Sequence, residues 1–187
     1  MARKIWLIKD GEYLPIQPEA REMRCTMLAR ALTQRGANVT WWHSTYSHQT
    51  RTQITQGDAV IQAWPKLTIP LLEAGTYQRN FSIARIRHHR RLARAFTRAA
   101  QTLDPPDIII CAYPVIELAD AVRAYAVARG IPMIVDVRDY WPDTFVAYAP
   151  SLLKPFVRLA TLPMQRAARR IFRDNIYLVG INRGLVS

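Results

Sequence analysis

The feature that most limits what this chain can become is a series of short apolar runs, each closed by a turn signal and set apart from the next by a helical or polar stretch. Lys4 to Ile8 stops before Asp10-Gly11, Asn38 to Trp42 follows Gly36, and Asp58 to Trp64 is cut off by Pro65 and Pro70. Asp107 to Ala112 is apolar after its first residue, Ile131 to Val137 follows Gly130, and Asn175 to Ile181 is the last such run. Runs of this length between turn residues read as strands. The continuous apolar character of Asp107 to Ala112 after its first residue is the type expected at the centre of a parallel sheet.

The intervening segments supply the crossovers. Pro18 to Arg35 has Met23, Met27 and Ala31 at four-residue spacing, with Pro18 acceptable in a first turn and Gly36 placed to end the helix. Between Asn80 and Leu103, Leu92, Phe96, Ala99 and Leu103 form an apolar stripe, and Arg87, Arg91, Arg94 and Arg98 run beside it as a basic one. Val115 to Arg129 is rich in alanine, and Pro155 and Pro163 are expected to divide the segment after the fifth strand into two short helices. His43 to Gly57 reads as a long polar loop. Strands alternating with helices imply right-handed crossovers and an α/β domain: a parallel sheet of about six strands in the middle of three layers. A chain of 187 residues, half of them hydrophobic, is sized for one such domain.

Ligands of such sheets bind at the carboxyl ends of the strands, which directs attention to residues 9–24, 43–48, 111–117 and 136–145. The stretch Asp136-Val137-Arg138-Asp139-Tyr140-Trp141-Pro142-Asp143 sets three carboxylates, one guanidinium and an indole at such an end. Asp139 is the candidate to take a proton from an attacking hydroxyl. Arg138 suits a phosphate gripped in a fork, and Trp141 suits the apolar face of a sugar. The competing reading is a structural Asp136–Arg138 ion pair, since alternate strand residues share a face, with Trp141 closing the edge of the core. After the first strand, Gly11 and Glu12 lead into a helix expected to carry Arg21 and Arg24 in its early part, a position where free backbone N–H groups would favour an anion.

Other motifs carry less. There is no Gly-x-Gly-x-x-Gly fingerprint for a dinucleotide, and Ser44, Ser47, His43 and His48 lack the glycines of a nucleophile elbow. His88 and His89 read as packing or surface residues, and Cys25 and Cys111 have no metal-type spacing.

Taken in order, the motifs resemble the N-terminal domain of family 4 glycosyltransferases, bacterial enzymes that build lipopolysaccharide, O-antigen and capsule sugars. The residues that carry the resemblance are Ile5-Trp6-Leu7-Ile8-Lys9-Asp10-Gly11-Glu12 with Leu14-Pro15, Arg21 through Arg24, Val39-Thr40-Trp41-Trp42 with Ser44 and His48, and Tyr77-Gln78-Arg79-Asn80-Phe81-Ser82. To these are added Asp136-Val137-Arg138-Asp139 with Trp141-Pro142, and Gly180-Ile181-Asn182-Arg183-Gly184. The resemblance implies a retaining, metal-independent GT-B enzyme of two Rossmann-like domains, needing no cofactor, with the acceptor mainly on the N-terminal domain and the nucleotide-sugar mainly on the C-terminal one. It makes Asp139 the catalytic candidate and Gly11, Glu12, Arg21, Arg24, Arg138 and Trp141 the substrate-binding ones. In relatives the loop after the first strand often approaches the donor diphosphate through a glycine pair; here Gly11 stands without a second glycine. Residues 1–187 are accordingly expected to form one Rossmann-like half of a hexosyltransferase, lacking the nucleotide-sugar-binding domain and inactive alone. The expected partners are a nucleotide-sugar donor, engaged only with that second domain, and a saccharide or lipid-linked acceptor.

Charge adds a surface. The chain has 26 Lys and Arg against 14 Asp and Glu, a net charge of +12, and so attracts anions. Arg79 to Arg98 holds seven basic residues and Lys154 to Arg173 six, neither with an acid. Arg87, Arg91, Arg94, Arg98, Arg166 and Arg170, with Phe156, Leu159, Leu162 and Phe172 nearby, are expected to rest on an anionic membrane. The alternative is a non-catalytic basic module for nucleic acid or a protein partner, but no helix-turn-helix, finger or RNA-binding motif is present, so no specific nucleic acid is expected. No apolar run reaches the ~18–20 residues of a membrane span, and no signal-peptide core opens the chain. A cytoplasmic location, peripheral on the inner face of the membrane, is the expectation.

Overall fold

The computed structural model describes residues 2–17, 20–80, 82–139, 141–174 and 176–180, with the side chain of Ile176 outside the description. In chain order the elements are β1 (Lys4–Ile8), α1 (Arg24–Gln34), β2 (Asn38–Ser44), β3 (Tyr46–Ser47), β4 (Thr52–Gln53), β5 (Ala59–Trp64), β6 (Leu67–Leu72), α2 (Ile83–Ala99), β7 (Ile108–Tyr113), α3 (Ile116–Arg129), β8 (Met133–Val137), α4 (Asp143–Tyr148), α5 (Lys154–Arg173) and β9 (Ile176–Gly180). A seven-stranded sheet has the order β5-β6-β2-β1-β7-β8-β9. All its pairings are parallel except that of β5 with β6. Six parallel strands running outward in both directions from β1 give the Rossmann order, with its switch point between β1 and β7.

The two faces of the sheet have separate cores. On one, α2, α3 and α5 cover Trp6, Ile8, Trp42, Ile109, Cys111 and Val135, with Phe96, Val122 and Ile171 among the buried side chains they contribute. Trp6 anchors this core, stacked on Tyr125 at 5.2 Å and edge-on to Trp42 at 5.0 Å. On the other face α1, through Cys25 and Ala29, covers Ile5 and Leu7 of β1, Val39 and Trp41 of β2, and Leu67, Ile69 and Leu71 of β6.

Several expectations need correction. The strand β6 runs through Pro70, which the sequence presents as a breaker; parallel pairing with β2 resumes beyond it at His43↔Leu71, and β5 folds back against β6 as an antiparallel edge. The 43–57 stretch contains the small β3–β4 ribbon. Helix α1 begins at Arg24, not near Pro18, and Pro18 itself lies outside the described residues. Helix α5 is continuous through Pro163, with Pro155 in its first turn. Pro163 lies on the exposed side, where solvent replaces the one hydrogen bond its ring removes. The Ile181-Asn182-Arg183-Gly184 part of the last motif lies outside the described residues.

Candidate functional site

The carboxyl ends of β1, β2, β7 and β8 open on one rim, and period-two alternation along the strands sorts their polar residues onto the two faces of the sheet. Asp136 and Arg138 fall on the α1 side. There Arg138 donates from Nε to Asp136 Oδ2 at 2.8 Å and pairs through Nη1 with Glu12, while Arg24 Nη2 stands 2.9 Å from Asp136 Oδ1. Glu12, nearly fully buried, also accepts from the backbone N–H of Cys25 at 3.0 Å. A carboxylate of the chain therefore occupies the α1 N-terminus, where the sequence predicts an external anion, and Met23 at the N-cap supplies no side-chain bond of its own. Two guanidinium groups and two carboxylates balance in this network.

Lys9 and Cys25 border it. Burial, reinforced by the nearby Arg138 charge, lowers the Lys9 pKa. Burial and the Glu12 carboxylate push the Cys25 thiol up to about 12, and burial does the same for Cys111, so both are inert core thiols at neutral pH.

On the opposite side Asp10 lies between two buried imidazoles, with Oδ1 3.6 Å from His43 Nδ1 and Oδ2 3.3 Å from His88 Nε2. His43 Nε2 accepts from Gly11 N–H at 3.1 Å, which leaves Nδ1 to donate to the Ser44 carbonyl at 2.7 Å. His88 Nδ1 donates to the Gly75 carbonyl at 2.7 Å, and Ser44 N–H donates to Asp10 at 3.1 Å. Gly11 has φ +77, a conformation that suits glycine, as the chain turns between these groups. Tyr77 OH meets His48 Nδ1 at 2.9 Å; burial and Arg85 lower the His48 pKa, and burial pushes Tyr77 up to about 12.

Beside this cluster is a cavity of about 330 Å³, lined by Asn80, Ser82, Ile83, Arg85, Ile86 and His89 of the α2 end, Glu117 of α3, Trp141 and Phe145 of the loop after β8 and α4, and Met164 of α5. Trp141 packs on Phe145 at 4.7 Å, and the Arg85 guanidinium lies over the Trp141 ring at 5.1 Å and the Tyr77 ring at 5.7 Å. His89 Nδ1 is 3.6 Å from Glu117 Oε2. Burial raises the Glu117 pKa, but His89 and the more distant Arg90 outweigh it and hold the carboxyl below its usual range.

The candidates named from sequence thus separate. Glu12, Arg24 and Arg138 meet around Asp136, which is the structural ion pairing that competes with a phosphate fork in this segment. Gly11 joins the histidine cluster, and Trp141 lines the cavity. Arg21 is exposed ahead of α1, so it and Arg24 do not stand on successive helical turns as expected. Asp139 is exposed next to Arg138. Arg87, Arg91, Arg94, Arg98, Arg166 and Arg170 are all exposed, and Arg170 in addition pairs with Asp120 of α3. Arg85, His89 and Glu117 stand out only in the structure. Glu117 closes the 111–117 stretch that the strand-end rule names, and Arg85 and His89 are one helical turn apart on a single face, the signals that could have found them.

Among the described residues no group of three or more His, Cys, Asp or Glu side chains is placed to hold a metal ion, and none of the helices is long and apolar enough to cross a membrane. No protein-family model and no curated protein matches the chain. Among solved structures it is similar to an alpha,alpha-trehalose 6-phosphate synthase from Burkholderia multivorans, at 16% identity and a TM-score of 0.43 over 91% of this chain; the chain spans 38% of that protein's length.

Proposed function

We propose that this chain is the acceptor-side half of a GT-B glycosyltransferase of the family 4 type, and that transfer requires a second domain carrying the nucleotide-sugar. The observation that supports this reading most directly is the cavity at the carboxyl rim, where the aromatic pair Trp141 and Phe145 shares the lining with the His89–Glu117 pair. Aromatic rings take the C–H faces of a sugar, and a few convergent polar groups orient its hydroxyls. In this reading Asp139 accepts the proton of the attacking hydroxyl, the Glu12–Arg138–Asp136 network holds the segment in place, and the basic surfaces rest on an anionic membrane.

The test is binding by the isolated chain. Saturation-transfer NMR with simple pyranosides is expected to show contacts that Trp141→Ala removes, while titration calorimetry with uridine and guanosine diphosphate sugars shows weak binding and no turnover. Submicromolar nucleotide-sugar binding, or turnover by the chain alone, would count against a two-domain transferase. Salt-sensitive binding to nucleic acid with no saccharide contact would favour the basic-module alternative.

A further inference from the structure

We propose that the cavity at the start of α2 selects an anionic pyranoside, a sugar carrying one carboxylate or phosphate, and that Arg85 is the specificity-determining group. The proposal rests on the acceptor reading above and narrows its substrate class.

Other partly buried guanidinium groups of the fold are matched to carboxylates: Arg138 to Asp136 at 2.8 Å and to Glu12, and Arg123 to Asp120 at 2.9 Å and Asp174 at 2.7 Å. Arg85 differs. It is half-buried, held over two aromatic rings, and no ion pair joins it to a carboxylate among the described residues. Its Nη1 donates to the Asn80 carbonyl at 3.0 Å, while Nε is buried without a hydrogen-bond partner among the described residues. The Nε side of a guanidinium is an edge that grips a carboxylate or phosphate through two parallel bonds. A buried donor left without a partner costs free energy, and a ligand oxygen is one way that cost is recovered.

Two further features fit the same ligand. Helix α2 has 17 residues and its first turn holds no acid, so the positive end of its dipole is not offset by an acidic side chain there. In the same cavity lining Glu117 Oε2 is buried and, among the described residues, has no hydrogen-bond donor within reach, with His89 just beyond hydrogen-bond distance. Among the described residues, a cation without an anion and a carboxylate oxygen without a donor thus line one cavity, together with Ile83, Ile86, Trp141, Phe145 and Met164. A pyranoside satisfies both: its anionic group meets Arg85, a ring hydroxyl donates to Glu117, and its C–H face lies on Trp141. At about 330 Å³ the cavity is at the small end of the ~300–1,000 Å³ typical of ligand pockets, which suits one sugar residue.

The experiment compares methyl glucuronide, glucose 1-phosphate, neutral methyl glucoside and inorganic phosphate as ligands of the purified chain by titration and ligand-observed NMR. The anionic pyranosides are expected to bind at least tenfold more tightly than methyl glucoside, and the two distinguish a carboxylate from a phosphate preference. Arg85→Gln is expected to abolish the tenfold difference while methyl glucoside binding persists, and Arg85→Lys, which keeps the charge but loses the fork, should retain only part of it. Equal binding of neutral and anionic pyranosides, or a preference that survives in a folded Arg85→Gln variant, overturns the proposal and leaves the acceptor reading standing. Inorganic phosphate binding as tightly as glucose 1-phosphate also overturns it, since the sugar would then contribute nothing. Failure of every pyranoside to bind overturns both readings.

Discussion

Asp10 and Asp139 each follow a strand of the central sheet, yet their surroundings prepare them for different work. Burial pushes the Asp10 pKa up, but His43, His88 and Ser44 outweigh it and hold the carboxyl well below its usual range. A carboxyl depressed in the folded state adds stability that is complete above its unfolded pKa, near ~4, and drains away as pH falls below that value. Asp10→Asn leaves two buried imidazoles without their carboxylate, and loss of one partner from a buried pair costs about 3–5 kcal/mol. Denaturant midpoints are expected to show a loss of that order at pH 7, shrinking as the pH is taken below about 4; a constant difference across that range would mean that the charge of Asp10 is not what holds the cluster. Asp139, by contrast, is exposed, so Asp139→Asn should leave stability nearly unchanged. In the two-domain transferase proposed above, the same change is expected to lower kcat by about 10²–10⁴, the usual contribution of a positioned proton acceptor. Unaltered turnover in a folded variant would remove Asp139 from the reaction.

At the scale of elements, α4, α5 and the short turn between them leave a group of large apolar side chains in solvent. Tyr148 and Leu152 are more than four-fifths exposed, and Phe156 and Leu159 are each 70% exposed, beside Lys154 and Arg158. Aromatic and aliphatic tips rimmed by cations suit the boundary of an anionic bilayer, where each basic residue adds about 1 kcal/mol. Cosedimentation with vesicles of rising anionic-lipid content is expected to show salt-sensitive binding that a Phe156→Ser/Leu159→Ser double variant weakens several-fold. Binding unchanged in that variant would shift the contact to the exposed arginines of α2, and no binding at low salt would end the membrane reading. These elements also show what a sequence makes visible. The bounds of β1 are legible to the residue and those of β7 to within one, because buried parallel strands are continuous apolar runs bounded by turn residues. Strand β6 is hidden by Pro65 and Pro70, which read as breakers although Pro70 is accommodated where the ladder with β2 skips. Helix α1 starts late because Glu12, far ahead of it in sequence, caps its first turn from the loop after β1. The same reason hides most of the site: Asp10 meets His88 and Arg85 meets Trp141 only after the crossovers bring distant loops together, and no local spacing records such pairs.

At the scale of the whole molecule, the described residues cover the two faces of the sheet unequally. On the α2–α3–α5 side the core extends from Trp42 to Val137. On the other side α1 packs over β1, β2 and β6, while the register aligns Leu7 with Ile110, Ile134 and Tyr177 in one row across β1, β7, β8 and β9. Burial declines along that row: Leu7 is buried, Ile110 and Ile134 are half-buried, and Tyr177 is 69% exposed, with Val179 on the same face also exposed. A doubly wound sheet ordinarily carries helices over both faces, and β9 is the edge of the sheet among the described residues, with backbone groups that can pair with another strand. Contiguous apolar surface beside an unpaired edge favours contact with another protein surface. The isolated chain is therefore expected to self-associate as concentration rises, and the net charge of +12 opposes this, so association should strengthen with salt as the repulsion is screened. Replacing Tyr177 and Val179 by Lys puts charge on that face in the way natural edge strands avoid pairing, and because both side chains are exposed the cost in stability should stay within about 1 kcal/mol for the two. Light scattering across a concentration series at low and high salt checks the argument: the double variant should remain monomeric where the parent associates. A parent chain that stays monomeric at high salt and high concentration would mean that this half-covered face is stable in water without a partner.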